Sequence, residues 1–258
     1  MTGTTTTSAG RLTALGRAEL TLLSRNMMAL ATALLAPLGT VAAVRPVVTQ
    51  MNLGGTGLDV NAASMSGGIG FVMIFVVYYN LVTTYVARRE ELVLKRLRTG
   101  EPTDLEILAG TALPAVAVAL VQCAVLVGSG ALLLRLGAPR RPDLLLAGLV
   151  LGVVLLAALA AVSTVVTRTV EMAQITTMPL LLVSMMGSGL LIPLGTMPDP
   201  VADLCRLLPV TPVMELVRAG WLGGVSSHDV VGALGTALVW TGLTVFAVRR
   251  WFRWEPRR

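Results

Sequence analysis

The sequence has little charge, one lysine, one histidine and two cysteines in 258 residues. Charged side chains make up 13% of the chain, whereas soluble domains carry about 25%. So few charges could not cover the surface of a soluble protein of this size. With 55% hydrophobic residues and a mean hydropathy of +0.79, the composition instead predicts a polytopic membrane protein and excludes a disordered chain.

The rare residues exclude several kinds of site. A single histidine, His228, rules out a multi-histidine metal centre, and we predict no metal site. Cys123 and Cys205 form no CxxC pair, so no disulfide framework is expected. Lys95, the only lysine, does not follow a phosphate-binding glycine. The chain therefore has no recognisable nucleotide site, and we expect it neither to be an enzyme nor to bind a cofactor itself.

Six apolar runs are long enough for membrane helices, which need about 20 residues each. They cover residues 27–44, 66–87, 107–134, 144–166, 175–194 and 230–248. Pro37, Pro114 and Pro179 lie inside three of these runs and are expected to kink the helices. The predicted fold class is an all-α polytopic membrane protein, with one transmembrane domain over residues 1–258 and a six-helix bundle over 27–248.

Positive charge is divided unequally between the predicted loops. If both termini are cytoplasmic, 14 of the 20 arginines and lysines lie on the cytoplasmic side and 6 lie outside. This asymmetry follows the positive-inside rule and predicts a multi-pass plasma-membrane protein with both termini in the cytoplasm. It also explains the net charge of +6 without a nucleic-acid partner.

Three terminal segments lie outside the predicted bundle. Residues 1–10 are rich in threonine, serine and glycine and are expected to be a disordered tail. Residues 11–25 gather their leucines on one side of a helical wheel, which predicts an amphipathic helix on the membrane surface rather than an ordinary basic flank. Residues 249–258 form a basic tail.

The loop between the second and third runs has five basic and five acidic residues from Arg88 to Glu106. We predict a short helix here, with Glu91 and Lys95 as an i,i+4 ion pair. Thr103 or Asp104 would cap the helix that follows.

Leucines stand among the charges of this loop. Leu94 and Leu97, three residues apart, would give the short helix an apolar edge. Mixed charge beside an apolar edge favours docking to a partner protein. The alternative is a solvated hairpin.

This loop resembles a motif of the ABC-2-type permeases of ATP-binding-cassette exporters, in particular the daunorubicin-resistance permeases of actinobacteria. The family's pattern is of the kind R-E-x-G-T-L-x-R-L-R-x-T-P, followed by L-x-I-L. Here it reads REELVLKRLRTGEP over residues 89–102, then LEIL over 105–108. Leu92 and Val93 replace the usual Gly-Thr pair, and Gly100-Glu101 precede Pro102.

A second motif follows the fifth run and is similar to the family's G-x-x-x-P-x-x-x-M-P pattern. It reads GLLIPLGTMPDP over residues 189–200, and an arginine precedes a glycine-rich end near residue 224. The resemblance implies short external helices that enter the outer leaflet part-way, whereas the alternative is a plain loop on the bundle. The motif residues are Pro193, Met197, Pro198, Pro209, Pro212 and Arg218.

The resemblance also implies partners and a mechanism. Two permease subunits, identical or paralogous, would assemble in the bilayer with two separate ATPase subunits that bind ATP and magnesium. The short helix would be the coupling helix that docks to an ATPase. Its docking residues would be Arg89, Glu90, Glu91, Leu94, Lys95, Arg96, Leu97 and Arg98.

The cargo would be a small amphipathic or hydrophobic molecule such as a drug, an antibiotic or a lipid-like metabolite, moved outward in multidrug efflux or antibiotic resistance. Polar and methionine side chains in the second and fifth runs could line its pathway. They are Tyr79, Asn80, Thr83, Met178, Met185 and Met186. The same residues could instead form hydrogen bonds between helices, pack in the core or face lipid.

Three other classes of protein fit less well. An intramembrane serine protease would need a base near Ser129 or Ser188, and His228 is the only histidine. A proton-coupled carrier would need carboxylates within the spans, but all 14 acidic residues fall in predicted loops or at helix ends. A non-transporting scaffold or immunity protein without an ATPase partner is the alternative function.

Overall fold

The computed structural model describes residues 60–255 except 101, 134–137 and 193, together with a few isolated positions between 35 and 50. Within these residues the regular structure is helical and contains no β-strand. The predicted tail 1–10 and surface helix 11–25 lie outside the described residues, as does almost all of the first apolar run, 27–44. The first span and the surface helix therefore stay predictions.

Nine α-helices follow one another in the part of the chain that is described. α1, Val60–Val72, continues through a π-helical segment, Met73–Tyr79, into α2, Asn80–Glu90. α3 is the short helix Val93–Arg98, and the next three are α4, Asp104–Leu133, α5, Pro142–Ser163, and α6, Val170–Gly187. A 3₁₀ turn at Leu194–Thr196 precedes α7, Asp199–Arg206, α8, Thr211–Leu222, and α9, Ser227–Trp251.

Five helical stretches among the described residues are long and apolar enough to cross a membrane: Ala63–Glu90, Asp104–Leu132, Pro142–Ser163, Val170–Gly187 and Ser227–Trp251. They match the second to sixth predicted runs and confirm an all-helical membrane protein. The fifth run was predicted too long, because α6 ends at Gly187 rather than near residue 194. Gly189 takes a left-handed φ of 72°, a conformation that commonly ends helices.

Side-chain contacts show which helix ends lie together. Arg89 at the end of α2 contacts the turn after α5, and the Tyr85 hydroxyl donates to the Leu108 carbonyl of α4 at 3.0 Å. The Tyr78 and Ser163 hydroxyls share a hydrogen bond of 3.0 Å between the π-helical segment and α5. We call this the Arg89 end of the bundle, and the opposite one, where α5 begins, the Pro142 end.

The helix α8 fills the half of the bundle nearest the Pro142 end, where it packs against α5, α9 and α1. Nine of its residues are buried. The close approach depends on glycine. A Cβ at Gly148 of α5 would lie 3.1 Å from Leu216 Cβ, and a Cβ at Gly220 of α8 would overlap the backbone of Leu145. Small residues let helices approach this closely in membranes.

We predict that Gly220→Ala destabilises the bundle, because neither backbone can move without separating α8 from α5. Overpacking of this kind costs about 1–3 kcal/mol. The matched control is Gly235→Ala in α9, where a Cβ meets nothing within 4 Å. Thermal unfolding in detergent should show a lower midpoint for Gly220→Ala only. Equal midpoints for the two variants would contradict the packing described here.

Candidate functional site

The loop at the Arg89 end contains a break, although the predicted coupling helix runs without interruption over residues 89–98. Arg89 and Glu90 instead finish α2, and α3 begins afresh at Val93. The junction is Leu92, whose φ of 61° and ψ of 14° are left-handed. The prediction of one continuous helix was therefore wrong, since a left-handed residue cannot continue an α-helix.

Leu92 occupies the position at which the resembling motif carries glycine. A left-handed conformation costs a residue with a Cβ about 1–2 kcal/mol, whereas glycine adopts it freely. The Leu92 amide donates to the Arg89 carbonyl at 3.1 Å, and the Arg96 amide donates to the Leu92 carbonyl at 3.0 Å. The turn therefore keeps its backbone hydrogen bonds, although Leu92 is in a conformation that glycine adopts at lower cost.

Arg89 lies inside the protein, with 2% of its surface exposed. Its guanidinium donates to the carbonyls of Thr164 at 2.8 Å and Thr167 at 2.5 Å, with a longer contact of 3.3 Å to Arg168. These carbonyls belong to the turn after α5, where a cation also suits the helix dipole. Arg89 thus fixes α2 to the end of α5 and is not part of the exposed surface.

The exposed side of the loop bears charges of both signs. Leu94 is fully buried, so it anchors α3 instead of lining its outer edge. Leu97 is half-buried. We call the surface formed by the remaining predicted docking residues and Leu97 the docking face: Glu90, Glu91, Lys95, Arg96, Leu97 and Arg98.

The ion pairs of α3 differ from the predicted one. Lys95 pairs with Glu255 of the C-terminal tail at 2.8 Å instead of with Glu91. The break at Leu92 removes the helical spacing that the i,i+4 pair required. Arg98 pairs with Asp104 at 3.0 Å and so ties the end of α3 to the start of α4.

The start of α4 has a capping box, one of the two predicted caps. The Glu106 amide donates to the Thr103 hydroxyl at 3.4 Å, and the Thr103 amide donates to the Glu106 carboxylate at 2.8 Å. Such reciprocal bonds satisfy the free amides of a helix start. Thr103 is therefore the cap, and both ends of the loop are held in place.

The predicted pathway residues lie at the end of the π-helical segment, on α2 and on α6, and α2 packs against α6. Asn80 is exposed, and Tyr79 and Thr83 are half-buried beside it. The Thr83 hydroxyl donates to the Tyr79 carbonyl at 3.0 Å, just after the π-helical segment. Wide π-helical turns occur often at functional sites, and no pattern in the sequence indicated this one.

The methionines of α6 are on its outer side. Met178 and Met186 are exposed and Met185 is half-buried. Ile175 and Leu182 continue the same apolar stripe. Among the described residues these side chains are exposed, and a pathway role for them stays a prediction.

The two halves of the second motif meet at the Pro142 end. Arg218 of α8 donates to the Ser188 carbonyl at 3.3 Å, and a Cβ at Gly189 would overlap its guanidinium. Thr211 donates to the Ser188 hydroxyl at 3.1 Å. Glycine is needed at 189 both for its positive φ and for this contact, so the motif joins α8 to the end of α6.

The remaining motif residues lie at or near the starts of the helices in this segment. Pro198 precedes α7, Pro212 is buried in the first turn of α8, and Pro209 is buried between these helices. Met197 is half-buried, and Pro193 lies outside the described residues. Proline at such positions starts helices and prevents one long helix across the segment.

An acidic residue accompanies Arg218 on α8. Burial raises the pKa of the Glu215 carboxyl, and the guanidinium groups of Arg218 and Arg206 oppose that rise. Burial also lowers the pKa of the Arg218 guanidinium, which Glu215 opposes. The pKa of Glu215 stays above its ordinary value, because the effect of burial is larger than that of the two guanidinium groups.

The five candidate spans define the class of this molecule, a polytopic helical membrane protein. The family model of the ABC-2 type transporter matches residues 11–222, which include both motifs up to α8. The chain belongs to the ABC-2 type transporter family, whose membrane proteins typically work with ATPase subunits. No curated protein matches the chain.

We predict that Leu92→Gly stabilises the protein by about 1 kcal/mol, because glycine removes the cost of the left-handed conformation. The matched control is Glu91→Gly, at an ordinary φ of −73°, where glycine costs about 0.5–1 kcal/mol through backbone entropy. The measurement is the unfolding midpoint in detergent. The assignment of strain to Leu92 fails if both glycines lower the midpoint alike.

We predict that Arg89→Met lowers stability by at least about 2 kcal/mol, because it leaves buried carbonyls without their donor. Arg89→Lys should also destabilise, since an ammonium lacks the planar fork that spans two carbonyls. Arg96→Met, on the exposed side of α3, is the matched control and should change stability by less than about 0.5 kcal/mol. An unchanged midpoint for Arg89→Met would show that the buried contacts are dispensable.

Proposed function

We propose that this chain is the permease subunit of an ATP-binding-cassette exporter and that the docking face binds a separate ATPase subunit. The observation that carries the proposal is the placement of a short charged helix, α3, at one end of a bundle that belongs to the ABC-2 type transporter family. ATP and magnesium would be bound by the ATPase, and this chain would supply no catalytic residue.

The anchoring of the docking face supports this proposal. The Leu94 side chain of α3 is buried, and Arg98 at the end of α3 is paired with Asp104 of α4. Arg89 joins α2 to the turn after α5. A partner that pushes on α3 would therefore move α2 and α4 with it, as rigid elements rather than as a loose loop. Rigid-body movement of packed helices is a common way to pass a conformational change between sites.

Exposed charge of both signs supports a protein partner over a lipid surface. Glu90, Glu91 and Arg96 are all exposed on the docking face, whereas helices that bind anionic lipid carry a basic polar face. Complementary charge gives specificity and register to such contacts. With the docking face in the cytoplasm, both termini are cytoplasmic too, as the positive-inside rule predicts.

The cargo in this proposal is a small amphipathic or hydrophobic molecule such as a drug, an antibiotic or a lipid-like metabolite, moved out of the cell. The exposed faces of α2 and α6, two helices that pack against each other, include a polar group, Asn80, and adaptable methionines, Met178 and Met186. A second copy of the chain or a paralogue would cover these faces and enclose the pathway. A daunorubicin-resistance-type activity is one form of this proposal.

The segment from Met197 to Gly224 would form the external, part-way entry into the membrane. Burial of α8 among α5, α9 and α1 supports this, because an exposed loop would not bury nine residues of one helix. Pro198 and Pro212 start its two helices at the Pro142 end. The contact of Arg218 with Ser188 would hold the segment in place.

We predict that exchanging two charges on the docking face, Glu90→Arg with Arg96→Glu, abolishes retention of the ATPase. The exchange keeps the net charge but reverses the sign of the charge at each of the two positions, so a partner with complementary charges would meet like charges. The measurement is co-purification in nanodiscs after co-expression with candidate ATPases encoded in the same genome. The matched control exchanges an exposed pair at the Pro142 end, Asp203→Arg with Arg206→Asp, which lie 2.7 Å apart.

The outcomes separate the two candidate functions. Retention by wild type and by the control, with loss in the docking-face variant, supports the exporter. No retention of any ATPase, under conditions that hold a known exporter together, favours a scaffold or immunity protein. Retention by the docking-face variant would place the ATPase contact elsewhere on the chain.

A further inference from the structure

The C-terminal tail, Phe252–Glu255, folds back from the end of α9 onto α3. Phe252 ends α9 with an extended backbone, φ −60° and ψ 132°, so the chain leaves the helix axis at this point. The tail crosses the Arg89 end of the bundle and reaches the side of α3. There it contacts Lys95 and Arg98, two residues that are far from the tail in sequence.

Aromatic contacts run from α2 through the tail to α3. The Tyr85 and Phe252 rings meet edge to face with centroids 6.4 Å apart, and Phe252 meets Trp254 in the same way at 4.9 Å. The Arg98 guanidinium lies 5.0 Å from the centre of the Trp254 ring. Edge-to-face rings and a cation over a ring are favourable geometries, so this row of contacts holds the tail in one orientation.

An ion pair completes the attachment. Lys95 Nζ lies 2.8 Å from a Glu255 carboxylate oxygen. Lys95 and Arg98 are three residues apart and so share one side of α3. Both side chains of the ion pair are more than half exposed, which makes the pair weak alone and sensitive to salt. Together with the Trp254 contact it fixes the rotation of α3 as well as its position.

α3 needs such help. It has six residues and one fully buried side chain, Leu94, and it starts at the strained Leu92. Helices this short are not stable on their own, because few hydrogen bonds offset the cost of starting a helix. Contacts from outside α3 must therefore hold it, and the tail supplies two of them on one side.

We infer that the tail is a positioning element that joins α3 to α9, with Trp254 and Glu255 as its positioning residues. The chain itself links α3 only to α2 and α4. Through the tail, α9 becomes a third helix that follows α3. In the exporter proposed above, on which this consequence rests, movement of α3 by an ATPase would reach α9 directly.

The first test needs no ATPase. Hydrogen exchange of the amides of Val93–Arg98 is measured in the full chain in nanodiscs. Trp254→Ala should speed exchange by about threefold or more, because α3 opens more often without its cation–π contact. Trp254→Phe keeps a ring beneath Arg98 and should restore most of the protection. Trp251→Ala, an exposed tryptophan one turn earlier, is the matched control and should change nothing.

A charge exchange tests the ion pair separately. Lys95→Glu and Glu255→Lys should each speed exchange of α3, and the double variant should recover wild-type protection at low salt. Equal exchange in wild type, Trp254→Ala and both single charge variants would overturn the positioning role. So would an equal effect of Trp251→Ala, which would show a general loosening of the end of α9.

A final measurement separates this inference from the proposed function. Once an ATPase is bound, Trp254→Ala should lower the export of a fluorescent amphipathic dye per ATP hydrolysed, because α9 no longer follows α3. Retention of the ATPase is measured alongside, since Trp254 contacts Arg98 of the docking face. Unchanged transport per ATP would overturn the link from α3 to α9. If wild type retains no ATPase, the proposed exporter fails, while hydrogen exchange still decides whether the tail positions α3.

Discussion

The contacts of Arg89 with the turn after α5 are the interaction on which the Arg89 end depends. Backbone carbonyls at a buried helix end need donors, because burial separates them from water. One guanidinium satisfies the carbonyls of Thr164 and Thr167 and ties α2 to α5 and to the start of α6. The exposed, charged loop that follows therefore starts from a fixed point, the end of α2.

The Pro142 end is held by close backbone approach instead. Gly148 and Gly220 let α8 and α5 touch along their backbones, and Arg218 rests on Gly189 where α6 ends. Packing without space for a Cβ is specific to one arrangement of the helices. The bundle therefore has polar bonds to buried carbonyls at one end and glycine contacts at the other.

Hydropathy alone located the five described candidate spans, because a helix that crosses a bilayer needs about 20 mostly apolar residues in sequence. The cap at Thr103 was predictable too, since a capping box depends on residues three apart. Leu92 was different. Nothing in the local pattern REELVLKR separates one helix from two, and the break became visible only as a positive φ.

The sequence by itself determined the class of the protein, its family resemblance and the location of its charged loop, because these depend on composition and on neighbours in the chain. The tertiary structure decided which charges of that loop are buried and which are exposed. Arg89 and Arg96 look alike in sequence, yet one bonds carbonyls more than 70 residues away and the other faces solvent. Lys95 found its partner in Glu255 rather than in Glu91 for the same reason: long-range contacts depend on how the helices pack, which local spacing does not encode.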